Sequence, residues 1–303
     1  MSRFIVSEDG RLRAGIRLLL QLVLGLFLMF LAQLLVYGTG NRNLMISAGG
    51  LAVVLSIYLS ALAFDKRPMR EFGLGLNREW FVPAGAGIVL AFLVITLLAG
   101  ILWAAGWMDF TGYGWNRTST GLYATGLAGY IVTMGVVGFY EELWTRGYQM
   151  RNLVEGVFNG SNRNLAGVVA MAITSLFFGV LHLANPNVSA IGILTIVMAG
   201  VMLAVPYLIT GELGFSIGVH FAWNTVQGAL YGLPVSGIPF RQSLLQFQVN
   251  GPELWTGGTF GLEGGLLGII GVLLLTAMSL LWLRYRGYAL RVSPDLTKPP
   301  PQG

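Results

Sequence analysis

Long apolar runs constrain this chain more than any other feature. Eight stretches of roughly 20 residues contain almost no charged side chain, and a helix of that length crosses a hydrocarbon core of about 30 Å. They lie near residues 14–37, 44–64, 81–105, 121–144, 164–183, 188–209, 213–232 and 262–284. The sequence therefore predicts an all-α, polytopic membrane helix bundle with about eight transmembrane helices.

Composition supports this class and excludes others. Charged residues make up 10% of the 303 residues, whereas soluble domains average about 25%. The net charge of +5 does not indicate nucleic-acid binding, because the basic residues cluster in short loops beside apolar runs. The chain has no cysteine, which excludes disulfides, a thiolate nucleophile and a cysteine-based zinc site. The lipid bilayer is therefore an expected partner and nucleic acid is not.

The basic clusters also predict orientation. In an eight-span chain, all four clusters fall on the side that the positive-inside rule assigns to the cytoplasm. We therefore expect an integral protein of the cell membrane with both termini in the cytoplasm. The clusters are Arg3, Arg11 and Arg13; Lys66, Arg67, Arg70 and Arg78; Arg146, Arg151 and Arg163; and Arg284, Arg286 and Arg291.

The chain divides into three regions, none of which is a separate soluble domain. Residues 1–120 hold N-terminal membrane helices without diagnostic motifs, and residues 121–237 hold the polar motifs described below. Residues 238–303 comprise an extramembrane loop, the last transmembrane helix and a tail, from residue 291 onward, that we expect to be disordered because it is polar and rich in proline.

Ionisable residues within the apolar runs indicate a functional site, because charge at membrane depth costs several kcal/mol. The only two histidines, His182 and His220, lie in such runs, and Glu141 and Glu142 close another. Carboxylates with histidines are the usual groups of acid–base catalysis. Each feature alone also fits a structural role at a helix end or between helices.

Spacing on a helix separates the roles of these groups. Glu141 and Glu142 differ by about 100° and point to different faces. Glu142 lies four residues before Arg146 and is placed to form an ion pair, which leaves Glu141 free to face a cavity. Glu141 must still meet His182, which lies about 27 Å along its own helix and so near the opposite face of the membrane. The fourth helix must therefore continue past Glu141 as an extension, or the fifth must be displaced or broken.

The second and third motifs can complete the site. Phe178 precedes His182 by four residues, so its ring can form the wall of a pocket onto which the imidazole opens. His220 and Asn224 share one helix face, and both can donate hydrogen bonds to one oxygen, as in an oxyanion hole. Zinc is the competing interpretation, since Glu141, His182 and His220 could form a His₂Glu site.

Together the three motifs resemble those of the CPBP family, the CAAX proteases and bacteriocin-processing (Abi) membrane proteins. The resemblance covers residues 121–237, and all motif positions are present. The motifs are Glu141-Glu142-Leu-Trp-Thr-Arg146, Phe178-Gly-Val-Leu-His182 and His220-Phe-Ala-Trp-Asn224.

This resemblance implies an intramembrane endopeptidase that acts on a peptide or protein substrate at the membrane. By motif position, Glu141 and His182 would activate the attacking water, and His220 and Asn224 would hold the oxyanion. The residues Glu142, Arg146 and Phe178 would support the site. Family members are often labelled metalloproteases, but a mechanism without a cofactor uses the same residues, and we favour it over zinc.

Two further hypotheses come from other functional classes. A non-catalytic membrane scaffold or bacteriocin-immunity protein would keep the fold and bind a peptide partner, but it would be expected to lose one of the polar positions. A proton-coupled transporter would use the same groups as a relay, but it would more often show repeat symmetry and broken helices in both halves. Neither feature occurs in this sequence.

Overall fold

Helices make up most of the computed structural model, which describes residues 5–7, 9–116, 120–158, 162–240 and 242–299. Two short strands are β1 (Met108–Tyr113) and β2 (Leu245–Val249). The helices are α1 (Ala14–Val36), α2 (Arg42–Ser60), α3 (Arg78–Ala104), α4 (Thr120–Glu142), α5 (Arg151–Val157), α6 (Arg163–Leu181), α7 (Ala190–Thr210), α8 (Gly214–Thr225), α9 (Glu253–Thr256) and α10 (Leu266–Tyr285).

Within the described residues, seven helical segments are long and apolar enough to cross a membrane. This confirms the all-α membrane bundle. The predicted span at 213–232 is also helical, as the 12-residue α8 followed by a five-residue π-helical turn, Val226–Leu230. It is shorter than the others because the chain leaves the helix at Gly232, whose φ is +67°.

The fourth span is much longer than predicted. A π-helix, Leu143–Met150, joins α4 to α5, so that Gly121–Val157 forms one continuous helical segment of 37 residues. At 1.5 Å per residue this segment is about 55 Å long, well beyond the thickness of a bilayer core. Glu141 therefore lies near its middle rather than at its end. The predicted extension past Glu141 is present.

A small antiparallel sheet joins two loops at one end of the bundle. Strand β1 pairs with β2, with Phe110 opposite Phe247 and their rings 5.5 Å apart. Both strands alternate apolar and polar residues over a few positions, a pattern typical of half-buried strands. The sheet was not predicted from hydropathy. It ties the loop that precedes α4 to the loop that follows α8.

The helix α8 packs closely against α3. Three glycines allow the approach: a Cβ at Gly214 would overlap the carbonyl of Trp80, one at Gly218 would overlap the carbonyl of Ala84, and Gly87 faces α8 in the same way. Small residues let helix backbones come close in membrane bundles. The backbone of α3 therefore fixes the position of α8.

The opposite end of the bundle holds a buried ion-pair cluster, which we call the arginine cluster: Arg11, Arg17, Arg67, Asp65 and Glu155. Arg17 binds Asp65 at 2.7 Å and Glu155 at 3.2 Å, Arg67 binds the other oxygen of Glu155 at 3.2 Å, and Arg11 also contacts Glu155. The three arginine side chains are at most 3% exposed. The cluster joins the N-terminal segment, α1, the end of the second span and α5.

The C-terminal tail differs from the expected disorder over residues 291–299. Leu296 is 1% exposed, and the backbone N–H of Ser293 donates to the carbonyl of Leu208 at 2.7 Å. Arg67 donates to the carbonyl of Lys298 at 2.7 Å. Two apolar side chains, Val292 and Leu296, anchor an otherwise polar segment. Residues 300–303, also expected to be disordered, lie outside the described residues.

Candidate active site

A cavity of about 410 Å³ lies inside the bundle and contains the predicted site. Glu141 comes from α4, His182 from the end of α6, and His220 and Asn224 from α8, and all four line the cavity. Phe178 lines it as well. The structure therefore brings together four residues that lie on three helices and span more than 80 positions of sequence.

Glu141 has one bonded and one free carboxylate oxygen. The hydroxyl of Tyr140 donates to Oε1 at 3.0 Å. Oε2 is buried and accepts no hydrogen bond from the described part of the chain, and it lies 3.8 Å from His220 Nε2. A buried carboxylate oxygen without a donor has a strong tendency to accept one. This oxygen is therefore able to hold a water molecule in the cavity.

Glu142 does not line the cavity and binds Arg146 and His220. Its Oε1 accepts from Arg146 Nη1 at 2.9 Å and from His220 Nδ1 at 2.8 Å. The predicted ion pair between Glu142 and Arg146 is thus present, and both side chains are at most 1% exposed. Arg146 also donates to the carbonyl of Gly200 at 3.0 Å, which anchors the pair to α7.

The contact between Glu142 Oε1 and His220 Nδ1 defines the orientation of the His220 ring. A carboxylate can only accept, so His220 Nδ1 carries the hydrogen and Nε2 points toward Glu141 and the cavity. In a protonated imidazole Nε2 is also a donor, so His220 in that form presents a hydrogen-bond donor to the cavity.

His182 is oriented in the same way by the backbone. Its Nδ1 lies 2.8 Å from the carbonyl of Phe178, so Nδ1 is the donor and Nε2 is left as the free nitrogen. The ring of Phe178 lies between both histidines, with centroid distances of 4.7 Å to His182 and 6.1 Å to His220. The guanidinium of Arg146 stacks on the same ring at 4.4 Å. Phe178 thus contacts three of the motif residues.

Asn224 adds a second potential donor beside His220. Its side-chain amide makes no hydrogen bond to any described residue, although it is only 7% exposed and lines the cavity. Its backbone carbonyl accepts from Tyr130 at 3.3 Å. A buried, unpaired amide normally requires a partner. A polar group bound in the cavity can supply one.

Sequence reasoning missed Glu263, a buried carboxylate that also lines the cavity. It accepts from Trp223 Nε1 and from Gln227 Nε2, each at 2.9 Å. Trp223 lies in α8 and Gln227 in the π-helical turn that follows it, so Glu263 anchors the chain on both sides of Asn224. A signal existed, because Glu263 falls inside the apolar run predicted at 262–284 and is ionisable.

Zinc is the alternative interpretation of Glu141, His182 and His220. Among the described residues, no three or more histidine, aspartate or glutamate side chains are grouped closely enough to hold a metal ion. Glu141 Oε2 and His220 Nε2 are 3.8 Å apart, and His182 leaves Nε2 free because its Nδ1 contacts the carbonyl of Phe178. The side chains would therefore have to move together to form a His₂Glu site, in which each metal–ligand bond is about 2.0–2.2 Å.

Comparison with known proteins agrees with the motifs. No curated protein and no solved structure gave a match to the chain. The family model described as type II CAAX prenyl endopeptidase Rce1-like matches residues 122–226, a segment that includes Glu141, His182, His220 and Asn224. The chain therefore carries, over residues 122–226, an Rce1-like domain of the CPBP (Abi) family of membrane proteins.

Proposed function

We propose that the protein is an intramembrane endopeptidase of the CAAX-protease type that hydrolyses a peptide bond with water activated by Glu141 and His182. The Rce1-like domain supports intramembrane endopeptidase activity in general. The single observation that carries the finer assignment is the buried Oε2 of Glu141, which has no donor among the described residues and faces a cavity shared with both histidines.

In the proposed reaction, a water molecule donates one hydrogen bond to Glu141 Oε2 and the other to His182 Nε2. Its oxygen attacks the carbonyl carbon of the substrate, and Glu141 takes the proton that is released. The tetrahedral intermediate then collapses as the C–N bond breaks and Glu141 returns its proton to the leaving nitrogen. The products are a carboxylic acid and an amine, which become a carboxylate and an ammonium group by proton exchange, and the site returns to its starting state.

The negative charge on the carbonyl oxygen requires donors that are already in place. Asn224 Nδ2 and protonated His220 Nε2 project from the same face of α8 and can donate to one oxygen. Glu142 keeps the ring of His220 oriented through Nδ1 and is itself held in place by Arg146. In this assignment Glu142, Arg146 and Phe178 are positioning residues that do not touch the substrate.

Cleavage of peptides by the purified protein in detergent tests the proposal. We expect hydrolysis by the natural protein and by the control Glu253→Gln, an exposed glutamate outside the cavity, but not by Glu141→Gln. Cleavage that survives exhaustive chelation supports the mechanism without a cofactor. Loss on chelation and recovery with zinc would replace it with a metalloprotease mechanism in which Glu141, His182 and His220 move together to bind the ion.

A second result would favour a different function. If no peptide is cleaved but peptides bind in the cavity, the protein is a non-catalytic scaffold or immunity protein. One structural feature supports the scaffold hypothesis: the cavity lining includes many apolar side chains, which suit a peptide or a helix from a partner.

We further propose that the arginine cluster faces the cytoplasm and that the protein resides in the cell membrane. The basic loops lie at this end of the bundle, together with both described terminal segments. Because the chain has no cysteine, single cysteines introduced at Arg70 and at Asn41 can be labelled one at a time in intact cells. We expect an impermeant reagent to label position 41 and not position 70.

A further inference from the structure

The small sheet has one apolar face and one polar face. Phe110 of β1 lies opposite Phe247 of β2, and the neighbouring pair is Asp109 opposite Gln248. Successive side chains of a strand point to opposite faces, so the two phenylalanines share one face and the polar pair lies on the other. Asp109 and Gln248 are both exposed. The sheet is therefore amphipathic.

The apolar face of the sheet is aromatic and exposed. The side chains of Trp103, Phe110, Tyr113 and Trp115 are between 42% and 68% exposed. The ring of Tyr113 stacks on that of Trp115 at 4.5 Å and lies 5.2 Å from that of Phe110. A contiguous exposed apolar patch marks a surface that contacts a membrane or another molecule. This face therefore needs a partner that the described part of the chain does not supply.

A groove of about 460 Å³ lies between the sheet and α3. The residues of α3 that line it are Thr96, Ala99, Gly100 and Trp103, and their spacing places them on one face of the helix. Trp103 is the last but one residue of α3, so the groove extends from the helix end over seven residues, or about 10 Å. A Cβ at Gly100 would meet no other atom within 4 Å, which shows that the groove is open at this depth.

The groove continues into the lipid-facing surface of α3. This helix is one of the segments that are long and apolar enough to cross a membrane. Phe92, Leu93 and Leu97 are exposed on the face that also carries Thr96 and Gly100. An acyl chain that contacts Leu93 and Leu97 can therefore extend into the groove without leaving the surface of the helix.

The lining of the groove favours a hydrocarbon occupant. None of the described residues that line it is a lysine, an arginine, an aspartate or a glutamate. The hydroxyls of Tyr231 and Thr96 are hydrogen-bonded to each other at 3.1 Å. A phosphate would find no cation in the groove, whereas a hydrocarbon chain would leave no polar group unpaired. Tryptophan and tyrosine rings are, in addition, enriched where the membrane meets water.

We propose that the aromatic face of the small sheet lies in the membrane, at the boundary between headgroups and acyl chains, and that the groove beside α3 binds an acyl chain of a bilayer phospholipid. The polar face with Asp109 and Gln248 then faces water. In this arrangement part of the loop that follows α8 belongs to the membrane interface, at the end of the bundle opposite the arginine cluster. The proposal does not depend on peptidase activity.

Spin labels on the two faces of the sheet test its position. The chain has no cysteine, so Phe110→Cys and Gln248→Cys can each be labelled at a single site and placed in phosphatidylcholine vesicles. Dissolved oxygen concentrates in lipid, and a nickel chelate stays in water. We expect oxygen to relax the label at position 110 several-fold more than nickel does, and nickel to relax the label at position 248 more than oxygen does. Labels at Leu93→Cys and Arg70→Cys give the reference values for lipid and for water.

Two outcomes would overturn the position of the sheet. If nickel dominates at both position 110 and position 248, the whole sheet lies in water. If neither reagent reaches position 110 in the vesicles, another protein surface, such as a second copy of the chain, covers the aromatic face instead of lipid.

Filling the groove tests the bound acyl chain. Gly100→Trp places a large ring in the groove, and Gly85→Trp is the matched control, because Gly85 is exposed on the same helix, has equally open surroundings and does not line the groove. Native mass spectrometry counts phospholipids that remain bound after detergent extraction. We expect a phospholipid on the natural protein and on Gly85→Trp, and an occupancy about tenfold lower on Gly100→Trp, since the ring excludes the chain.

The unfolding temperature of each variant in detergent shows whether it is folded, and Gly100→Leu offers a smaller side chain if Gly100→Trp is not. Equal phospholipid occupancy of the natural protein and of the folded Gly100 variant would overturn the groove as the binding site. Absence of any bound phospholipid from the natural protein would overturn it as well.

Discussion

Glu141 and Glu155 lie on the same continuous helix and are similarly buried, with side chains 13% and 19% exposed, yet their surroundings differ completely. Both oxygens of Glu155 accept from arginines, which come from three other segments. Glu141 accepts from one tyrosine, and its second oxygen has no donor in the described structure. The two glutamates show that burial alone does not make a carboxylate reactive.

The difference follows from what each carboxylate can still accept. A carboxylate with both oxygens bound to guanidinium groups has little capacity left for water, and its charge is neutralised in place. A carboxylate with a free oxygen retains the cost of an unmade hydrogen bond, which substrate or water can remove. We infer that the arginine cluster supplies stability, and that the cavity end keeps the polar groups unpaired for chemistry.

The largest expected effect comes from Glu141→Gln. The amide has nearly the same shape but cannot take a proton, so we expect kcat to fall by about 10⁴-fold, at the upper end of general-base effects. The temperature of unfolding in detergent should not change, since this side chain has only one hydrogen bond to lose. Full activity in this variant would contradict the assignment of Glu141 as the base.

The reverse pattern is expected for Glu155→Gln in the arginine cluster. This change leaves Arg11, Arg17 and Arg67 short of a counter-charge, and removal of one partner from a buried pair costs about 3–5 kcal/mol. Thermal unfolding in detergent measures this loss. Molecules that stay folded should cleave peptides with the natural KM. If kcat falls while the stability is unchanged, Glu155 takes part in catalysis, and the contrast drawn here between Glu141 and Glu155 is wrong.

Glu142→Ala should combine both kinds of damage, because Glu142 binds Arg146 and His220 at once. We expect a loss of about 3–5 kcal/mol in stability, as for other broken buried pairs. Activity should also fall, because the ring of His220 loses the contact that orients it. Unfolding and peptide cleavage are measured on the same preparation, with Glu253→Ala as the exposed control.

Asn224→Ala should affect activity alone. The amide makes no hydrogen bond to the described residues, so its loss leaves no protein group unpaired. Removal of one oxyanion donor costs about 10²–10³-fold in kcat. We expect KM and the unfolding temperature to stay close to their natural values. A stability loss without a change in kcat would assign Asn224 to helix packing.

The smallest effect is expected from Leu296→Ala in the tail. Leu296 is buried against the bundle, and loss of a buried leucine side chain costs about 2–5 kcal/mol, so we expect a loss of about 2 kcal/mol in stability. Peptide cleavage at a temperature well below unfolding should be unchanged. A loss of cleavage at that temperature would instead assign the tail a role in the cavity.

Much of the fold could be predicted because a chain segment that crosses lipid must be apolar and helical. Long apolar runs in the sequence therefore show where the membrane helices lie. The helices and the ion pair between Glu142 and Arg146 follow from local periodicity. The gathering of Glu141, His182, His220 and Asn224 around one cavity follows from the assumption that buried ionisable groups share a site. The roles of these residues remain predictions.

The features that were missed depend on contacts between distant parts of the chain. The position of Arg17 near the start of the first apolar run indicates an arginine at the membrane surface. In the structure its side chain is buried against Asp65, 48 positions away. Leu296 lies in a polar tail and is anchored by a core formed elsewhere. Glu263 was hidden for a related reason, since its donors Trp223 and Gln227 are on another helix. Local patterns do not carry this information.

The close contact between α3 and α8 has a consequence for modularity. The matched segment 122–226 begins after α3, yet the carbonyls of Trp80 and Ala84 set how far α8 can approach. A graft of the matched segment onto another set of N-terminal helices would keep every motif residue but lose the surface against which His220 and Asn224 are aligned. The site therefore depends on more of the chain than the matched segment, because Trp80 and Ala84 of α3 position α8 through Gly214 and Gly218.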